Sequence, residues 1–274
     1  MELGTRKKMN EAKTLLESGN LSGAIEATLA LVKQNPTNIP ARIFLFELSI
    51  FAGDWERAKR QLDVIGHQDT TAMIGSKILE QCVLAEAKRA DFFAKGTKPE
   101  FLATPPDHIY GLLTANNRVR EGNLTEARKI LDQVDEQRPA FACKVNGEDS
   151  GDFRDFNDLT SAVLEVIIKD SYVWVPFEQI EKITFFEPKS QRDYFWRQAE
   201  LETDNGTNGE VFIPTLYNDS WRSPDDLIRL GKVTDWRDFG DDIFVGEGTK
   251  LFAVGDGAHK TMFDLQSVEF IKEI

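Results

Sequence analysis

Hydrophobic positions along this chain recur with two different periods, one on each side of about residue 140. Over residues 10–138 apolar side chains return every three to four positions, the spacing of a helix that buries one face. Ala41-Arg-Ile-Phe-Leu-Phe-Glu-Leu-Ser-Ile-Phe51 is apolar on most faces, which predicts a helix enclosed by its neighbours. Thr71–Lys95 carries Ile74, Ile78, Leu79, Val83, Leu84 and Phe92, a helical pattern of one long or two shorter elements. Gly96-Thr-Lys-Pro99 and Pro105-Pro106 then interrupt the chain, so a further helix is expected from about Asp107. Six or seven helices are expected in all.

From about Ala140 the period shortens towards two. Tyr172-Val-Trp-Val-Pro176, Lys182-Ile-Thr-Phe-Phe186, Glu210-Val-Phe-Ile-Pro214 and Lys250-Leu-Phe-Ala-Val254 read as strands, with Gly, Asn and Asp between them. Short helices are expected at Asp158–Leu164, Pro176–Ile180 and Gln191–Ala199. The predicted class is α+β in two domains: helical hairpins over residues 1–139, then a β-rich, mixed but largely antiparallel domain over residues 140–274.

Three turns in the helical half share a signature: Gly19-Asn20-Leu21-x-x-Ala24, Gly53-Asp54-Trp55-x-x-Ala58 and Gly122-Asn123-Leu124-x-x-Ala127. A glycine free to adopt positive φ ends one helix, Asn or Asp caps the next, and a small Ala admits close helix packing. Gly19 and Gly53 are 34 residues apart and Gly122 follows about two such periods later, which is the tetratricopeptide spacing. Pro36 and Pro139 close the first and third units, with Thr70 at that place in the second. Residues 71–95 fit one degenerate repeat. Arrays of this kind are scaffolds for binding partners.

Charge divides at the same boundary. The net charge of −13 arises entirely after residue 139, because acidic and basic side chains balance before it. Such a chain is a poor candidate for nucleic acid or anionic membranes, which select clustered Lys and Arg. A partner with a basic or neutral face suits it better. The two cysteines, Cys82 and Cys143, fall in different predicted domains without metal-ligand spacing, and no apolar run approaches membrane-spanning length. A cytoplasmic protein is expected, with no membrane insertion.

Candidate chemistry is sparse. His67, His108 and His259 are scattered over expected loops and strand ends with no neighbouring ligand. Gly246-Glu-Gly248-Thr-Lys250 and Gly255-Asp-Gly257-Ala-His-Lys260-Thr261 lack the phosphate-loop spacing and read as hairpin turns. Glu148, Asp149, Asp152, Asp155 and Asp158 could supply oxygens to a divalent cation, but in no EF-hand order. They read instead as an exposed interdomain loop ending in Asp158 as a helix cap, or as a contact for a basic partner. No catalytic, cofactor or metal residue is assigned. Large aromatics of the β-rich half are the candidate anchors for a partner: Trp174, Phe177, Tyr217, Trp221 and Trp236, with Trp196 as a further aromatic. Trp221, beside Ser220 and Arg222, is the one expected to be most exposed. Asp152, Asp155 and Asp158 complete the candidate partner-binding set.

Five blocks give the second half a family resemblance: Asp155-Phe-Asn-Asp158-Leu-Thr-Ser-Ala-Val-Leu-Glu-Val166, Tyr172-Val-Trp-Val-Pro-Phe-Glu-Gln-Ile180, Arg192-Asp-Tyr-Phe-Trp196, Glu210-Val-Phe-Ile-Pro-Thr-Leu-Tyr217 and Leu230-Gly-Lys-Val-Thr-Asp-Trp236. In order and spacing they resemble the ImpE/TagJ family of type VI secretion accessory proteins, and the likeness extends weakly into the first half through the hairpins, Pro99-Glu-Phe-Leu102 and Arg138-Pro139. The resemblance implies a non-enzymatic adaptor that binds the small contractile-sheath subunit TssB near its N-terminal helix and assists sheath handling with the ATPase ClpV. Two alternatives stand beside it. One is a general tetratricopeptide assembly factor or co-chaperone outside secretion. The other is a carboxylate- and metal-dependent enzyme, which needs Asp152, Asp155 and Asp158 to converge.

Overall fold

The structure, a computed structural model, describes residues 2–272. Seven helices lead the described chain: α1 (Glu2–Glu17), α2 (Leu21–Gln34), α3 (Ile39–Phe51), α4 (Trp55–Gln68), α5 (Met73–Lys95), α6 (Asp107–Arg120) and α7 (Leu124–Gln137). Three hairpins, α1 with α2, α3 with α4 and α6 with α7, turn at the three signature glycines. Gly19, Gly53 and Gly122 hold φ of +85°, +67° and +76°, where a side chain is strained. Ala24, Ala58 and Ala127 are fully buried between the paired helices. Asn20 and Asp54 cap as the signature predicts, accepting from the Gly23 and Arg57 amides. Asn123 makes no side-chain cap. The stretch expected to form a degenerate repeat is instead one helix, α5, which stops at Gly96 in the left-handed conformation.

The second half is built on an antiparallel eight-stranded sheet. Its strands are β1 (Cys143–Val145), β2 (Glu148–Ser150), β4 (Val163–Ile168), β5 (Ser171–Pro176), β6 (Ile180–Phe185), β7 (Trp196–Thr203), β8 (Asn208–Pro214) and β13 (Ser267–Phe270), in the order β2-β1-β13-β6-β7-β8-β4-β5. A three-stranded sheet joins β3 (Phe153–Asp155), β11 (Leu251–Val254) and β12 (Ala258–Thr261), and a ribbon pairs β9 (Thr234–Asp238) with β10 (Phe244–Gly248). The short helices expected here shrink to single 3₁₀ turns at 158–160, 177–179 and 191–194. The helix expected at Gln191–Ala199 ends at Tyr194, and strand β7 begins at Trp196, because alternate residues Ala199, Leu201 and Thr203 are buried and the strand pairs with β6 on one side and β8 on the other.

The compositional boundary near residue 140 is not a packing boundary. One core joins Phe92, Ile109, Leu112 and Leu131 of the helices to Val166, Trp174 and Phe177 of the sheet. The other joins Leu21, Phe46, Phe51 and Val83 to Ile167, Phe195, Trp196 and Leu216. Both cores draw side chains from both halves.

Between the two cores lies a buried ionic cluster. Arg89 of α5 donates from Nε to Glu165 Oε1 at 2.7 Å and from Nη2 to Glu165 Oε2 at 3.2 Å, and also reaches the Leu216 carbonyl at 2.9 Å. Lys250 Nζ pairs with the same carboxylate and lies 3.5 Å from Asp155 Oδ2. Tyr172 Oη donates to Glu165 Oε1 at 2.6 Å, Trp174 Nε1 donates to that hydroxyl at 2.6 Å, and Trp196 Nε1 donates to Glu86 Oε1 at 2.9 Å. Arg89, Glu165, Lys250 and Asp155 are each at most 3% exposed, so all these charges depend on one another for solvation. Burial alone would raise the Glu165 carboxyl, but Arg89 and Lys250 hold it well below the usual carboxylate range.

Loops of the second half also clasp the repeat turns. Asp226 Oδ2 accepts from the Leu21 amide at 2.9 Å, supplying a carboxylate to the N-terminus of α2. Lys232 Nζ donates to the Leu16 and Glu17 carbonyls at the C-terminus of α1. The Trp221 ring lies where a Cβ at Gly53 would come within 2.4 Å of it. At the third turn Thr125 Oγ1 donates to Asp241 Oδ2 at 2.6 Å.

The turn at 191–194 packs on α3 and covers Glu47, which is 6% exposed. Burial pushes the Glu47 carboxyl up to about 7, against a partial pull downwards from Arg192. The folded protein therefore holds a proton there that the unfolded chain releases near the ordinary Glu value, so stability falls as pH rises between about 4.5 and 7.

Two outcomes follow from this architecture. Glu165→Ala strands two buried cations and should cost about 3–5 kcal/mol in urea unfolding, with fluorescence and circular dichroism still reporting one coincident transition; separate transitions for the two halves would contradict the shared cores. Glu47→Gln should be more stable than wild type at pH 8, by up to about 3 kcal/mol, and the gain should vanish near pH 4.5; an equal effect at both pH values would contradict the buried-carboxyl account.

Candidate partner-binding groove

Helix α5 carries more apolar surface than one buried face requires. Leu79, Cys82, Val83 and Phe92 point into the cores, whereas Met73, Ile74 and Ile78 are 52%, 70% and 43% exposed. Ile74 and Ile78 stand one turn apart, so they form a continuous apolar edge. Beside that edge is a 260 Å³ trough floored by Phe46, Leu62, Ile65, Leu79 and Phe212, with Arg192 and Gln198 on its sheet side. Two further hollows adjoin it. One of 200 Å³ shares Leu62 and Ser76 and is bounded by Met73 and Gly66; the other, of 240 Å³, shares Ile78, Gln198 and Phe212 and runs towards Ile167 and Val211. The three form one depression across the junction of α4, α5 and the β7–β8 edge.

The lining of the depression is mainly apolar. Its floor is aliphatic and aromatic, and its rim is mixed, with Arg192, Lys169 and Lys77 set against Asp63, Glu80 and Glu210. Lys77 is already engaged with Glu80 at 2.6 Å. An apolar floor between two raised edges is suited to the i, i+3, i+4 anchors of an amphipathic helix.

Most sequence-selected anchors lie elsewhere and are corrected by burial. Trp174, Phe177 and Tyr217 are at most 1% exposed. Trp174 belongs to the ionic cluster, Phe177 packs on Phe153 and Phe270, and Tyr217 Oη donates to Asp155 Oδ1 at 2.9 Å. None of the three has surface to give a partner. Trp221 is half-buried over the Gly53 turn, with the Arg222 guanidinium 4.6 Å from its ring centre, so it serves the clasp. Trp236 is half-buried against Phe156 and Tyr217. Trp196 is a core residue bonded to Glu86.

The acidic group is dispersed as well. The expected exposed loop is instead strands β2 and β3, and its carboxylates face different partners. Asp152 makes a forked pair with Arg138 at 2.9 and 2.6 Å, which holds its carboxyl low although burial opposes this. Asp155 is buried beside Lys250, and burial outweighs that cation to push its carboxyl up. Asp158 accepts from the Phe244 amide at 2.8 Å, while Asn157 rather than Asp158 caps the 3₁₀ turn. The three do not converge, and no group of three or more His, Cys, Asp or Glu suited to a metal occurs among the described residues. The histidines also lie in regular elements: His67 in α4, His108 buried in α6, and His259 in β12. Both cysteines are buried and free, and burial pushes each thiol up to about 12.

Ile74 and Ile78 were read from sequence only as helix-forming positions. The available signal was width: Ile74 and Ile78 fall on a different stripe of α5 from Leu79 and Val83. No helix among the described residues is long and apolar enough to cross a membrane.

Comparisons with known proteins agree with this architecture. The family model described as ImpE protein matches residues 147–269, and a tetratricopeptide repeat model matches residues 12–74. A crystal structure of protein VPA1032 from Vibrio parahaemolyticus superposes with a TM-score of 0.89 at 26% identity, over 96% of this chain and 98% of that one. A Pseudomonas aeruginosa protein described as type VI secretion system accessory component TagJ is 32% identical over 259 residues, 94% of this chain and 90% of its own length. A likeness sustained through both the helical hairpins and the sheet places the chain in the ImpE/TagJ family.

Proposed function

We propose that the chain is a non-enzymatic accessory adaptor of a type VI secretion system, that its α5 depression receives the N-terminal helix of the small sheath subunit TssB, and that it thereby assists sheath handling by the ATPase ClpV. Membership beside a type VI secretion accessory component supports the system. The observation that carries the binding mode is the exposed Ile74–Ile78 edge over an apolar floor. A contiguous exposed apolar edge beside an apolar hollow is the kind of surface that a partner covers. The clasp supports the same reading, because loops of the second half already occupy the repeat turns and leave the depression open. Cytoplasmic residence follows from this role, since the sheath subunit is met there.

Calorimetric titration of the full chain with a synthetic peptide spanning the N-terminal helix of the cognate TssB tests the proposal. Ile74→Asp combined with Ile78→Asp should weaken binding at least tenfold without lowering the melting temperature, because both side chains are exposed in the free protein. Undiminished binding by that variant would move the site away from α5.

A further inference from the structure

A second surface has the opposite chemistry. Where α1, the end of α2 and the start of α3 meet, a broad cleft of 1270 Å³ is lined by the cations Arg6, Lys8 and Lys13 and by the amides Asn10, Gln34, Asn35 and Asn38, with no carboxylate among the described residues of its wall. Three of the amides have their oxygens engaged. Gln34 Oε1 accepts from Lys8 Nζ at 2.9 Å, Asn35 Oδ1 from Thr37 Oγ1 at 2.9 Å, and Asn38 Oδ1 from the Ala41 amide at 3.1 Å. Each of these amides still offers its NH₂ as a donor. The wall therefore presents cations and N–H donors.

This is an electropositive site on a chain of net charge −13. Arg6, Asn10 and Lys13 are spaced i, i+4, i+7 and share one face of α1, while Glu11 projects from the opposite face. Seven helical residues rise about 10 Å, a span that three or four extended residues cover at about 3.3 Å each. We propose that the cleft binds a short acidic segment of a partner protein in extended form, its carboxylates paired with Arg6, Lys8 and Lys13 and its backbone carbonyls accepting from the amide NH₂ groups. Side chains of an extended chain alternate, so a run of about five acidic residues turns three carboxylates towards the three cations. Nucleic acid is the less suitable polyanion, because its affinity grows with the number of phosphates neutralised and the cleft offers few cations within an acidic protein. This site is separate from the α5 depression and stands independently of it.

Fluorescence anisotropy of the full chain with fluorescein-labelled octaglutamate, octaserine and oligo-dT of eight nucleotides tests the proposal at 50 and 300 mM NaCl. Octaglutamate should bind at least tenfold more tightly than octaserine at the lower salt, and more weakly at the higher. The triple variant Arg6→Ser, Lys8→Ser, Lys13→Ser should lose at least tenfold with an unchanged thermal melt, whereas Lys33→Ser, Lys98→Ser, Lys129→Ser, which removes three exposed cations outside the cleft, should retain binding. Equal binding of octaglutamate and octaserine would overturn the site. So would equal losses in both triple variants, or tighter binding of oligo-dT that the first triple variant abolishes.

Discussion

The carboxylate of Glu165 is the constraint on which the molecule turns. It lies on strand β4, is 1% exposed, and is held by Arg89 from the helices and Lys250 from the far side of the second half. A buried ion pair seldom adds much stability over an apolar pair of the same volume, but removing one partner leaves buried charge poorly compensated. Its effect here is therefore one of specification. Helix α5 must dock with Arg89 over Glu165, and once it does, Phe92 falls against Trp174 with ring centres 4.9 Å apart and Trp196 reaches Glu86.

That docking explains why the open apolar surface of α5 lies on its outer edge. The inward stripe of the helix is consumed by the two shared cores, and the repeat turns are consumed by the clasp of Asp226, Lys232 and Trp221. On the side of α5 that faces β7 and β8, the stripe of Ile74 and Ile78 remains apolar and open. A tetratricopeptide array is ordinarily an open scaffold. In this chain the β-rich half has filled part of its surface and turned the remainder into a bounded depression.

Local physics made the repeats legible in the sequence. Gly19, Gly53 and Gly122 each require positive φ, and Ala24, Ala58 and Ala127 each sit where only a small residue fits, so turn and register could be read from single positions. Strands β5, β6, β8 and β11 were legible for the same reason, through short runs of aromatic and β-branched residues bounded by turn residues. Long-range constraints were not. Nothing near Asp155 announces that Lys250 and Tyr217 will enclose it, so a dense acidic run read as a solvated loop when it forms two strands and part of a buried cluster. The aromatic anchors failed similarly: Trp174, Phe177 and Tyr217 are large enough for interface hot spots, but the sheet uses them to complete its core. Charge and texture divided the chain near residue 140, yet side-chain packing does not respect that division, because hydrophobic faces of helices and sheet are each other's partners.

In the proposed adaptor, the two packed halves present the α5 depression as the partner surface. Hydrogen exchange of the full chain, with and without a peptide of the TssB N-terminal helix, tests it most directly. The account predicts new protection confined to residues 73–84 and to the adjoining strands at 196–203 and 208–214, with the clasp at 219–232 unchanged. Protection centred on 219–240, with none along α5, would contradict it.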